Sequence, residues 1–170
     1  MEIVVIPHPA LRKISDAVPA ADFGSVEIRR LCSDLSAAMA TRDDGVGISA
    51  PQIEVNLRVF AVSGKIWKKD DKPTPADEYF INPIIVKSSK KLITAEEGCL
   101  SIPETYGMVK RPSSVTIEYY SLDGEHRSEK ATRLLARIFQ HEIDHLDGIL
   151  FTDKATQIRK GKDDSSNTEL

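Results

Sequence analysis

The chain has 170 residues, 41% of them hydrophobic, and its 23 basic and 26 acidic side chains leave a formal charge of −3. That length suits one domain with a sizeable core, and the well-mixed, slightly acidic charge excludes broad nucleic-acid binding, DNA included. No apolar run reaches the roughly 20 residues of a membrane span.

The N-terminus, Met1-Glu2-Ile3-Val4-Val5-Ile6-Pro7, lacks the basic start and long apolar stretch of a secretory signal, and it lacks the Arg/Ser-rich pattern of a transit peptide. A cytoplasmic protein is the expectation. Two cysteines, Cys32 and Cys99, are too few for a disulfide framework. Residues 1–19 read as a short extended segment followed by a loop, with His8 on its surface. Ser25 to Ala40 carries apolar residues at helical spacing, including Leu31, Cys32 and Leu35, with Asp22 or Ser25 as the cap. Cys32 lies in that stripe and reads as a small buried hydrophobe.

Asp43-Asp44-Gly45-Val46-Gly47-Ile48-Ser49-Ala50-Pro51-Gln52 follows. Its glycines allow a tight, exposed turn. It lacks the third glycine, the lysine and the preceding strand of a phosphate cradle. Its uses are close approach of a substrate backbone and placement of Gln52, whose side-chain amide can donate to an oxyanion; a purely structural turn is the competing reading. Leu57 to Ser63 is a predicted strand, 64–77 a polar connection, and Tyr79 to Lys87 a second strand that Asn82-Pro83 makes an edge or a bend.

Glu96-Glu97-Gly98-Cys99-Leu100-Ser101 offers a thiolate, a good ligand for zinc or ferrous iron. Leu100 would place its backbone N–H nearby. A carboxylate from Glu96 or Glu97 is the competing ligand, and a buried structural cysteine the competing role for Cys99. Ser114 to Ser121 and Glu125 to Lys130 form a predicted hairpin around Asp123-Gly124. From Ala131 the pattern is helical and ends at Gly148. Within it, His141-Glu142-Ile143-Asp144-His145 places two imidazoles four residues apart on one helix face, with Glu142 at its edge. Those are parts for metal-assisted hydrolysis of a carbonyl compound. Asp144 would orient an imidazole or pair with Arg111. Ile149-Leu150-Phe151 closes on the core, and residues 159–170 read as a frayed polar end.

Three stretches together, 45–52, 97–101 and 140–148, resemble the signature motifs of peptide deformylases in order and spacing. The resemblance covers residues 1–153, taken as a single catalytic domain, with 154–170 a short polar tail. It implies an α+β fold: antiparallel strands wrapped around a central helix carrying His-Glu-x-x-His, plus the N-terminal helix. It implies removal of the N-formyl group from nascent chains that begin with formylmethionine. Ferrous iron is the implied metal, with zinc, nickel or cobalt as substitutes. The implied ligands are Cys99, His141 and His145, and the implied catalytic groups are Glu142, Gln52 and the Leu100 N–H. Val46, Gly47 and Gly98 would hold the substrate as an added strand. A monomer acting on formylated nascent peptides, with a transient ribosome contact, completes the expectation; a zinc peptidase cleaving internal bonds is the alternative. Ala95 departs from the family pattern, being small where a larger apolar residue near the methionine pocket is usual. That bears on side-chain preference, not on the reaction. Ile48-Ser49 replaces the usual leucine-alanine.

Overall fold

The apolar run at 59–62 and the amphipathic run that ends at Leu146 pack together in the computed structural model, which describes residues 1–69 and 72–161. Eight strands are present among the described residues: β1 (Gly47–Ser49), β2 (Val59–Val62), β3 (Glu78–Ser88), β4 (Leu92–Cys99), β5 (Ile102–Pro112), β6 (Ser114–Tyr120), β7 (His126–Thr132) and β8 (Thr156–Lys160). Two helices join them, α1 (Val26–Met39) and α2 (Arg133–Leu146). The strands form a five-stranded sheet in the order β1-β2-β3-β6-β7 and a three-stranded sheet in the order β4-β5-β8. All neighbouring strands are antiparallel.

Strand β2 explains the layering. It is buried on both faces, so its residues alternate between two cores. Val59 and Ala61 join Leu31, Leu35 and Ile48 beneath α1. Phe60 and Val62 join Phe80, Ile117, Phe139 and Leu146 beneath α2. The expected cap of α1 is Ser25, whose Oγ accepts from the Ile28 N–H at 3.2 Å. A third cluster, Leu11, Ile102, Val109, Leu150 and Phe151, seats the smaller sheet, so the segment after α2 closes on the core as expected.

Gly148 stops α2 in the left-handed region at φ +72°, where a side chain would be strained. It also has no room for one: an added Cβ would stand 2.7 Å from the Arg12 carbonyl oxygen. The chain entering from the N-terminus wraps this helix end, with the Ser15 N–H donating to the Leu146 carbonyl at 2.8 Å.

Several sequence expectations change in detail. Residues 9–12 form a 3-10 turn, begun by the Ala10 N–H donating to His8 Nδ1. Asn82-Pro83 marks a switch of partners: β3 pairs with β2 over 78–81, before it, and with β6 from Ile81 to Ser88, with the register shifting between Ile81 and Ile84. Asn82 itself sits at φ +50°, and its amide grips both the N–H and the carbonyl of Val18 at 2.8 Å. Residues 92–112, to which no strand was assigned, form the long β4–β5 hairpin. The fraying expected from residue 159 is corrected at its start, because Arg159 and Lys160 pair with Tyr106 and Thr105 in β8. The rest of the tail, 162–170, where a ribosome contact was expected, lies outside the described residues.

Candidate metal centre

The sharp β4–β5 turn and the middle of α2 meet at three donor atoms. Cys99 ends β4, where the register shifts between Gly98 and Cys99 and turns the thiol inward. Its Sγ lies 3.1 Å from Nε2 of His145. The ligand atoms of Cys99, His141 and His145 all lie within 4.8 Å of one another. The two imidazoles stand nearly edge-on, with centroids 4.9 Å apart and planes at 78°.

One sulfur and two ring nitrogens are a suitable donor set for zinc or ferrous iron. The electrostatics also draw a cation. Burial pushes His141 down, but Cys99 and Glu97 pull its pKa well above the ordinary value. Burial, then the neighbouring His141, push His145 down, which keeps that ring neutral. A ring nitrogen must be unprotonated to ligate.

Glu97 is not the third ligand that the sequence allowed. Its carboxylate is fully engaged, with Oε1 accepting from Arg111 Nε and Arg137 Nη1 at 2.6 Å each. Its Oε2 accepts from Arg111 Nη2 at 2.9 Å and lies 3.0 Å from Nδ1 of His141. This contact fixes the His141 ring and leaves Nε2 for a metal. Glu96 is likewise diverted, to Arg159, whose Nη2 donates to Oε2 at 2.8 Å. Asp144 takes the second of its two expected roles. It accepts from Arg111 Nη1 at 2.8 Å and from Lys154 Nζ at 2.7 Å, and orients no imidazole. Burial alone would push the Glu97 carboxyl up; Arg111 and His141 outweigh it and hold the group well below the usual carboxylate range.

Glu142 lies beside this cluster, only 4% exposed. Burial, partly offset by His141 and Ser49, raises its pKa to about 7. Its Oε2 is buried with no hydrogen-bond partner among the described residues. An orphaned buried carboxylate oxygen is costly and points to a missing partner. Gly47 stands directly against it: an added Cβ there would lie 2.6 Å from Glu142 Oε1. The glycine is therefore needed for clearance, a reason that turn chemistry alone did not reveal.

Gln52 is anchored at one end and aimed at the other. Its Oε1 accepts from the Ser49 N–H and Oγ, both at 2.9 Å. Its Nε2 donates to Ser101 Oγ at 3.1 Å and points at Cys99 Sγ, 3.6 Å away. The N-terminal segment ties the two loops, because the Val4 N–H donates to the Gln52 carbonyl and the Ile6 N–H to that of Ser101.

Val46, Gly47, Gly98 and Leu100 line one cavity of about 270 Å³ together with the metal donors Cys99 and His141. β1 and β4 are each the end strand of their sheet. The site thus gathers Val46, Gly47, Gln52, Gly98, Leu100 and Glu142 around the donors Cys99, His141 and His145, whereas Ala95 does not line the cavity. Arg111 was noticed only as a partner of Asp144, and Arg137 not at all. The available signal for Arg137 was its position four residues before His141, on the same helix face.

Comparison with known proteins agrees with the geometry. The family model described as polypeptide deformylase matches residues 1–161. The chain is 38% identical to a peptide deformylase of Rhizobium meliloti over 93% of its own length and 86% of that protein's. It is 39% identical to one from Mesorhizobium japonicum, covering 93% and 85% of the two chains. Among solved structures, the Met-Ala-Ser-bound class I type b peptide deformylase of Acinetobacter baumannii superposes with a TM-score of 0.80 at 35% identity, covering 90% of this chain and 97% of that one. The Plasmodium falciparum peptide deformylase gives 0.80 at 37% identity over 91% and 86%.

Proposed function

The chain belongs to the peptide deformylase family, and from that membership we propose how its own residues divide the work. The reaction is hydrolytic removal of the N-formyl group from nascent peptides, with release of formate. The Cys99, His141 and His145 cluster matches the family's metal site, commonly occupied by ferrous iron. Bound there, the cation supplies Lewis acidity toward water and a carbonyl oxygen.

The other steps fall to the chain. The end strands β1 and β4 leave backbone groups for an extended peptide, held at Val46, Gly47 and Gly98. Glu142 Oε2 takes the proton of the attacking water as its oxygen bonds to the formyl carbon. Charge that develops on the formyl oxygen is met by the Leu100 N–H and by Gln52 Nε2. That amide has two hydrogens: Ser101 takes one, and the other, aimed at Cys99 Sγ, is the one that would turn to the oxyanion. Glu142 then gives its proton to the amine as the C–N bond breaks, and formate leaves. A pKa near neutrality suits a group that both accepts and returns a proton.

The single observation that carries this reading is the unpartnered Oε2 of Glu142 beside the three-donor cluster. Glu142→Gln should retain the metal while formate release from formyl-Met-Ala-Ser drops about 10²–10⁴-fold. Metal content and turnover measured on one anaerobic sample decide it; near-normal turnover refutes the role. The active domain runs past residue 153, because β8 completes the three-stranded sheet that carries Cys99 and the family match extends to residue 161. Two free cysteines suit action in a reducing cytoplasm. No helix among the described residues is long and apolar enough to cross a membrane.

A further inference from the structure

Arg137 gives one wall of the active-site cavity a character of its own. Arg137 sits four residues before His141 on α2, about 6 Å along the axis. It lines the cavity with Leu134 and Ile138, and its side chain is only 14% exposed. Its guanidinium is fastened to the β4–β5 hairpin. Nη1 donates to Glu97 Oε1 at 2.6 Å and to the Val109 carbonyl at 3.1 Å, and Nη2 donates to the Ile93 carbonyl at 3.0 Å. Val109 faces Ala95 across the ladder, and Ile93 precedes Ala95 by two residues on the same strand. The guanidinium is therefore held against the hairpin backbone on either side of the Ala95–Val109 pair.

A guanidinium has five N–H donors. Three are used, which leaves the Nε–H and one Nη2 hydrogen without an acceptor among the described residues. The cavity wall thus mixes apolar side chains such as Leu134 and Ile138 with charged ones, among them a fixed guanidinium that keeps two unused donors. Arg137 lines the same cavity as the donors Cys99 and His141, so the side chain of a methionine whose formyl group lies at those donors enters space that Arg137 borders. A thioether is a weak acceptor. Oxidation makes it a sulfoxide, polar and chiral, with a strong acceptor oxygen.

We propose that this site deformylates chains beginning with N-formylmethionine sulfoxide as well as N-formylmethionine, with Arg137 donating to the sulfoxide oxygen. The reaction is the same hydrolysis; the sulfur is neither oxidised nor reduced. The inference rests on the deformylase reading above. A hydrogen bond to a charged donor is commonly worth a factor of about 10–100, enough to offset the sulfoxide's cost of leaving water.

The test is kcat/KM for formyl-Met-Ala-Ser and for each sulfoxide epimer of the same peptide, with metal-loaded full-length protein. Wild type should process at least one epimer within about tenfold of the parent, and the two epimers should differ, because a fixed donor distinguishes chiral oxygens. In Arg137→Leu the sulfoxide-to-methionine ratio should fall tenfold or more, whatever happens to the absolute rates. Arg137→Lys, which keeps a charge without the planar fork, should fall in between and provides a second variant should the leucine form not fold. Turnover of the parent with both epimers rejected more than a hundredfold by wild type overturns this inference alone. No turnover of the parent peptide overturns the deformylase reading itself. A ratio unchanged by either substitution also overturns the role of Arg137.

Discussion

The two sheets bring their ligands to the same point by opposite means. The five-stranded sheet backs α2, and with it His141 and His145, through packed rings. Phe80 stacks on Phe60 at 4.6 Å, meets Tyr119 at 4.6 Å and meets Phe139 edge-on at 4.9 Å. The three-stranded sheet carries Cys99 and joins the helix through charge. Glu97 on β4, Arg111 on β5, Arg137 and Asp144 on α2 and Lys154 after it form one chain of ion pairs. Packing is non-directional and tolerates small shifts. A buried ionic network requires every member, because a partner left behind stays charged and dry. The histidine half should therefore be robust and the cysteine half brittle.

Glu97→Ala attacks the brittle half most directly. Arg111, whose side chain is 4% exposed, would keep only Asp144 as a carboxylate partner. Removing one partner of a buried pair commonly costs about 3–5 kcal/mol. The His141 ring would also lose the contact at Nδ1, and losses of that kind lower metal affinity about 10–100-fold. Denaturant unfolding and a metal titration on the same variant should show both effects together. Loss of stability without loss of metal affinity would mean that Glu97 only supports the fold.

Phe80→Leu tests the robust half. It removes the ring contacts but keeps an apolar side chain in a fully buried place. About 1–2 kcal/mol of stability should go, from lost area and lost aromatic pairing. Metal affinity should stay within about threefold of wild type. A much larger loss of metal would show that the aromatic core sets the site's geometry as well as its stability.

The same division explains what could be read from the chain. The helices were legible because apolar residues recur at the helical period, and β2 because it is an unbroken apolar run. The donors were legible because two of them share one helix face and the third sits in a distinctive turn. β4 and β5 were not, because their stretch is rich in charge. Glu96, Glu97 and Arg111 break the apolar alternation that marks a strand, and they do so because the structure pairs them across elements. Those pairings join residues 14 and 63 positions apart, and such distances leave no local pattern. Gly47 shows the same limit. Its glycine reads as turn chemistry, whereas its reason is a carboxylate almost a hundred residues away in sequence.

An exposed ion pair on the same side of the molecule separates the effect of burial from the effect of charge. Arg12 binds Asp153 through both guanidinium nitrogens, with Nη2 donating to Oδ1 at 3.0 Å. The two side chains are 51% and 39% exposed, so solvent screens them and the pair is worth at most about 1 kcal/mol. The hydrogen bond from Arg12 lowers the Asp153 pKa, and burial opposes it only in part. A carboxyl whose folded pKa lies below its unfolded value of about 3.9 stabilises the protein above that pH. The contribution disappears as pH falls from there through the folded pKa. Arg12→Met should therefore remove a small, salt-sensitive stability at pH 6 and should cost progressively less below about pH 4. Asp153 would still accept from the Leu150 N–H at 2.9 Å, which keeps the turn after α2 intact. If Arg12→Met instead cost as much as Glu97→Ala and ignored both salt and acid, the pair would be acting as a buried one, and burial could not be what makes the Glu97 network brittle.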